Sequence, residues 1–115
     1  MQQHAVKVFK ALSDPGRLRI VKMLEARELC MCEIREVLQL SNATVSKHLT
    51  LLRDAGLVED SKDGKWVNFS LPAKPANQFA GDVLKLLKKS LVDEETITKD
   101  KKMAKHVCRK KICGI

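Results

Sequence analysis

The apolar pattern of this chain predicts a mainly α fold with a small β-hairpin, about five helices plus a wing, arranged as a winged helix-turn-helix. Three observations carry that prediction. Apolar residues recur at helical spacing through four segments before residue 56. The period then drops to two on either side of a tight turn at Asp63-Gly64. Helical spacing resumes from Phe79.

Each element has its own signal. Ala5, Val8, Phe9 and Leu12 mark the first helix. Asp14 suits an N-cap and Pro15 a first helical position, so Ser13-Asp14-Pro15 ends one helix and starts the next. Leu18, Val21 and Leu24 form the apolar stripe of that second helix, with Arg17, Arg19 and Lys22 largely turned away from it. The segment 28–32 leads into a short third helix that buries Ile34, Val37 and Leu38. After a turn at Gln39-Leu40, Ser41 caps a fourth helix with Val45, Leu49 and Leu52 on one face, and Gly56 closes it in the left-handed position. Leu57-Val58-Glu59 reads as a strand and residues 65–71 as its return, ended by Pro72 and Pro75. Phe79, Val83, Leu86 and Leu87 mark a fifth helix, widened by Leu84 and Leu91. Residues 1–92 thus form one winged helix-turn-helix domain. Residues 93–115 are too polar for an assigned element and read as a basic, cysteine-containing C-terminal tail.

At 115 residues one domain is expected. There is no apolar run of the ~18 residues that a membrane span needs, and residues 1–30 have no signal-peptide pattern, so a cytoplasmic protein is expected. The net charge of +8 suggests a polyanionic partner, nucleic acid before membrane. The charge is unevenly placed. Residues 41–72 carry four basic and four acidic residues, whereas residues 99–115 carry seven basic residues against Asp100 alone. Lys99, Lys101, Lys102, Lys105, Arg109, Lys110 and Lys111 therefore add nonspecific phosphate attraction or keep the tail solvated.

Two short helices, a brief turn, a longer helix and a hairpin form a unit whose second helix can enter a major groove while the first braces it. With Val45 inward, 100° per residue turns Ala43, Lys47, Thr50 and Asp54 outward, with Ser46 at the side. The expected double-stranded DNA contacts are Asn42, Ala43, Thr44, Ser46, Lys47 and Thr50, joined by Lys62 and Lys65 of the hairpin. Ala43 admits close backbone approach or a thymine methyl. The free N–H groups of the helix start favour a phosphate. His48 lies between the buried and exposed faces and reads as a packing or phosphate-contacting residue. Trp66 reads as core.

Four cysteines remain: Cys30, Cys32, Cys108 and Cys113. Reduced or metal-linked thiols fit the expected compartment better than disulfides. Cys30 and Cys32 lie two apart at a helix start, where the dipole lowers a thiol pKa, and two such thiols can share one soft ion: As(III), Sb(III), Cu(I), Cd(II) or Zn(II). Two thiols do not complete a four-ligand zinc site. His4 and His106 receive no role.

The stretch Ala11-Leu12-Ser13-Asp14-Pro15-x-Arg17-Leu18-Arg19-Ile20 resembles the opening of the ArsR/SmtB family of metal-responsive repressors. Glu28-Leu29-Cys30-Met31-Cys32-Glu33-Ile34 resembles that family's arsenic-sensing segment. Ser41-x-x-x-Val45-Ser46-x-His48-Leu49-x-x-Leu52 and Gly64-Lys65-Trp66-Val67 resemble its recognition helix and wing. The resemblance covers about residues 5–90. It implies a homodimer, joined through the first and fifth helices, that binds a palindromic operator and releases it on binding As(III) or Sb(III). No cofactor is needed for DNA binding, and no enzyme activity or membrane association is implied. The excess apolar surface of helix 79–91 independently needs a cover.

The family often uses Cys-x-Cys-x-x-Cys, and the third position here is Arg35. Three arrangements stay open: two thiolates with a retained hydroxide, a third ligand from Cys108 or Cys113, or a thiol-redox switch. Zinc-sensing relatives use His and carboxylates on the fifth helix, where residues 76–91 offer Asp82 and no His. A thiol oxidoreductase is disfavoured, because there is no Cys-x-x-Cys and no βαβ pattern. An architectural DNA-binding module, with affinity supplied by the tail, is the remaining alternative.

Overall fold

The computed structural model describes residues 2–107. In chain order it contains α1 (Gln2–Leu12), α2 (Pro15–Leu24), β1 (Leu29–Cys30), α3 (Met31–Leu38), α4 (Asn42–Asp54), β2 (Glu59–Asp63), β3 (Trp66–Ser70), α5 (Gln78–Lys89) and α6 (Glu95–His106). The three strands form an antiparallel sheet in the order β1-β3-β2.

The caps form as the sequence dictates. Asp14 accepts the Arg17 N–H at 3.1 Å ahead of Pro15, and Ser41 accepts the Thr44 N–H at 3.2 Å. These bonds satisfy donors that a helix start otherwise leaves open. The turn between α3 and α4 passes through Gln39 in the left-handed region, φ 57°. The core is continuous from α1 to the sheet: Val8, Ile20, Ile34, Val45, Leu52 and Leu57 are all fully enclosed.

Four features depart from the sequence expectation. Leu29–Cys30 forms a strand on β3, where a run-in to the third helix was expected. The hairpin starts later: Leu57 and Val58 are buried residues leading into β2, which runs from Glu59 to Asp63. Trp66 is only half-buried at the start of β3, while Asn68 and Phe69 of that strand are buried. A two-residue strand pairing with a wing carries no period of its own, so the pattern could not show it.

The largest departure is α6, in the stretch read as a tail. Its buried positions are Ile97, Asp100 and Ala104, spaced as a helical stripe with a carboxylate in the middle place. Asp100 receives two bonds from Arg19 of α2, at 2.8 and 2.9 Å. Lys101 reaches Glu25 at 2.7 Å, and Glu25 also pairs with the fully buried Lys22. Lys22 in turn donates to the Leu87 and Ser90 carbonyls at the end of α5. Charge pairing here occupies positions that an apolar stripe fills elsewhere, so a search for hydrophobic period passes over the helix.

Gly56 follows α4 with φ 78°. A Cβ there costs about 1–2 kcal/mol in the left-handed region. Gly56→Ala should therefore lower the unfolding free energy by about that amount, measured as a shift in the denaturant midpoint at unchanged slope.

Candidate nucleic-acid interface and thiol site

The recognition helix presents the residues its period predicts. Asn42, Ala43, Thr44, Ser46, Lys47 and Thr50 are exposed, and Val45, Leu49 and Leu52 are buried beneath them. Two hydroxyls are partly committed within the helix: Ser41 donates to Thr44 Oγ1 at 2.9 Å, and Thr50 Oγ1 donates to the Ser46 carbonyl at 3.0 Å. Lys62 and Lys65 are exposed on either side of Gly64 at the hairpin tip. An exposed Arg53–Asp60 pair at 3.0 Å ties the far end of α4 to β2.

His48 packs rather than points outward. Arg17 Nη1 lies 3.2 Å from Nδ1, and Asp14 Oδ2 lies 3.6 Å from Nε2. Since a guanidinium only donates, Nδ1 must accept and Nε2 must carry the proton of a neutral ring. Arg17 also donates to the Ala11 and Lys10 carbonyls, so this cluster joins α1, α2 and α4. Burial lowers the His48 pKa, the Asp14 charge opposes that, and the Arg17 and Lys47 charges reinforce it.

The thiols occupy the start of α3. Cys30 is 1% exposed, the last residue of β1 and the N-cap of α3. Its N–H donates to Glu33 Oε1 at 2.9 Å, and Glu33 Oε2 receives Arg27 Nη2 at 2.9 Å. This Cys-x-x-Glu arrangement is a capping box with sulfur in the usual hydroxyl place. Cys30 also lies opposite Asn68 of β3, and Asn68 Nδ2 donates to Glu28 Oε1 at 3.3 Å. This thiol-bearing segment thus touches the wing on one side and forms the start of the bracing helix on the other.

Its electrostatics differ from the helix-dipole expectation. Burial raises the Cys30 pKa, and the neighbouring Glu33 carboxylate adds to that rise, outweighing the N–H groups that lower it. Burial likewise works against Glu33, but the Cys30 N–H and the Arg27 guanidinium overcome it and hold that carboxyl below its usual range. Cys30 therefore rests as a neutral thiol. Cys32 is half-buried and disulfide-bonded, where the sequence leads to the expectation of a reduced or metal-linked thiol. Cys108 and Cys113, the expected third-ligand candidates, lie outside the described residues.

The chain matches known proteins in sequence and in fold. A family model described as "Bacterial regulatory protein, arsR family" matches residues 14–60. The solved structure titled "Reduced HlyU from Vibrio cholerae N16961" is 32% identical, with 76% of this chain and 88% of that chain covered at a TM-score of 0.63. This chain belongs to the arsR family.

Two further arsR-type relatives are more similar over shorter stretches. The "Arsenical resistance operon repressor" of Escherichia coli K12 is 47% identical over 73 residues, 62% of each chain. The "Cadmium resistance transcriptional regulatory protein CadC homolog" of Staphylococcus aureus is 42% identical over 74 residues, 64% of this chain and 61% of that one. The chain thus spans about three fifths of the length of these curated relatives. Family and relatives are regulators, not enzymes. Among the described residues, no helix is long and apolar enough to cross a membrane.

In this arsR-family chain, Arg27 and Glu33 are the site residues that sequence reading missed. The spacing Cys30-x-x-Glu33 could have revealed Glu33 as a capping partner. Nothing local in the sequence signals Arg27, whose partners lie up to 80 positions away.

The His48 environment gives a pH prediction. With its folded pKa below the ordinary 6.5, the unfolded chain binds a proton that the native fold excludes. Native stability should fall as pH drops below about 6.5 and level off below the folded pKa. Chemical denaturation across that range should show a shallower slope in His48→Gln. Loss linked to Glu33 belongs to a lower window, below the ordinary carboxylate value of 4.5.

Proposed function

We propose that this chain is a homodimeric transcriptional repressor that binds a palindromic operator in double-stranded DNA and leaves it when As(III) or Sb(III) binds Cys30 and Cys32. The observation that carries the reading is the position of Cys30. It lies in the strand paired with the wing and at the N-cap of the helix that braces α4. Drawing two sulfurs onto one atom changes residues 29–34, and through them both DNA-facing parts. The names of the arsenical and cadmium resistance relatives support the class of inducer.

The DNA contacts are Asn42, Ala43, Thr44, Ser46, Lys47 and Thr50 in the major groove, with Lys62 and Lys65 on phosphates. The tail adds less charge than its composition implies. Lys101 is paired with Glu25 and Lys99 with Glu95. The dimer forms through α1 and α5, where Phe9 is 64% and Leu86 60% exposed beside a Phe9–Phe79 edge contact at 5.5 Å. Such a patch on two adjacent helices suits a self-complementary interface.

Protonated Cys30 suits arsenite. As(OH)3 is neutral, and each As–S bond formed joins a thiol proton to a departing hydroxide as water, so no net proton is released. A divalent ion instead displaces one proton per thiol. A ligand releases DNA only through its preference for the DNA-incompetent form. Couplings of about 1–3 kcal/mol give roughly 5- to 150-fold weaker binding. Operator titration with reduced protein should show arsenite weakening affinity within or above that range. Cys30→Ser and Cys32→Ser should each bind the operator normally and lose the response. A double serine variant that arsenite still releases would refute the reading. Cd(II) affinity should rise steeply with pH between 6 and 8, and arsenite affinity should change little, as competition with a chromophoric thiol ligand will show.

A second reading is favoured by the disulfide at Cys32. In a redox repressor, two thiols give up two protons and two electrons to a peroxide, which leaves as water. Operator release by peroxide without metalloid, reversed by dithiothreitol, separates it from arsenite sensing.

A further inference from the structure

We propose that the Arg17–His48–Asp14 cluster is a proton-sensitive latch on the recognition helix, and that a proton added to His48 Nδ1 weakens DNA binding. The inference rests on the DNA-reading half of the function proposed above and is independent of its inducer. His48 follows Lys47, a proposed DNA contact, and lies one helical turn after Thr44. Its side chain is 12% exposed. Nδ1 accepts from Arg17 at 3.2 Å, and Nε2 faces Asp14 at 3.6 Å. Both partners are themselves held. Arg17 Nε and Nη2 close the end of α1 by donating to the Ala11 and Lys10 carbonyls at 2.7 and 3.2 Å. Asp14 Oδ2 accepts the Arg17 backbone N–H as the N-cap of α2. Gly16 stands against the ring, and a Cβ there would lie 3.1 Å from Nε2.

A second proton turns the Arg17 contact from donor–acceptor into donor–donor, between two positive groups. The guanidinium retreats only by giving up the α1 carbonyls, and Gly16 blocks the ring on the α2 side. The remaining movement is outward, and it carries α4. Among the described residues, the charged groups acting on the ring are Asp14 and Arg17 of α2 and Lys47 of α4 itself, two cations against one carboxylate. Asp14 keeps its charge while His48 titrates. Burial works against that charge, but the Arg17 N–H and the His48 and Arg17 charges hold the carboxyl below its ordinary value of 3.8. The expected sign is distinctive. Acidification adds positive charge and ordinarily strengthens attraction to phosphate. Opening the latch does the opposite.

The test is DNA affinity against pH for the reduced full-length protein without metalloid, at constant ionic strength. The probe is the duplex that wild type selects from a random library at neutral pH. Wild-type affinity should be level above the ordinary histidine value of about 6.5 and fall roughly 5-fold or more by about pH 5.5. His48→Gln should give a flat or rising profile, because its amide accepts from Arg17 and faces Asp14 without titrating. Proton NMR of the His48 ring in wild type carries the test if that variant does not fold. The ring should titrate at lower pH in the DNA complex than in the free protein, by about one unit for each tenfold change in affinity. Wild-type affinity that stays level or rises on acidification would overturn the proposal. So would a His48→Gln profile that falls as wild type does, or a ring whose pKa DNA leaves alone or raises. A wild type that selects no duplex removes the DNA-reading proposal itself, and this one with it.

Discussion

The Glu33 carboxylate is the constraint on which the thiol-bearing half of the molecule depends. One oxygen holds the Cys30 N–H at 2.9 Å, and the other holds Arg27 at 2.9 Å. The first bond sets where α3 begins and leaves the thiol in the last position of β1. The second connects that start to the end of α6. A buried carboxylate is costly unless it is fully paired, and these partners keep it ionised. Because both bonds converge on one side chain, residues 28–33 cannot shift without disturbing the wing, the brace and the C-terminal helix together.

A second polar group plays the matching role on the DNA-reading half. His48, held neutral between Arg17 and Asp14, sets the recognition helix on α1 and α2. Among the described residues, the side-chain ion pair that the outer face of α4 makes with the rest of the fold is Arg53–Asp60, at its far end. The side chains proposed to read bases and contact phosphates thus stand on a helix whose other side is fixed by packing. That is the rigid support a reading element needs. The thiol segment reaches this helix through α3 and reaches the wing through the Cys30–Asn68 pairing. The fold therefore offers two routes from the proposed sensing thiols to the proposed DNA surface.

Much of this was legible in the residues. Val45, Leu49 and Leu52 fixed the buried side of α4, and with it the exposure of Asn42, Ala43, Lys47 and Thr50. Asp14, Ser41 and Gly56 carried the helix boundaries in their side-chain chemistry or lack of it. The parts that escaped share a physical cause. β1 is too short to show a period, and its partner lies 40 positions away. α6 buries Asp100 where a stripe expects an apolar residue, and the compensating Arg19 lies 81 positions away. Arg27 has the same character. The expected low pKa of Cys30 failed because a dipole argument sees only the local helix, whereas burial and Glu33 come from the tertiary fold.

Residues 29–34 are the proposed joint between the thiols and the DNA-reading elements. Amide hydrogen exchange on the reduced protein, free of DNA and with or without arsenite, tests it most directly. Arsenite should change protection at three places together: the start of α3, the Leu29–Cys30 pairing with Asn68 and Phe69, and the first turn of α4. A change confined to residues 30–34, with β3 and α4 unaltered, would contradict it.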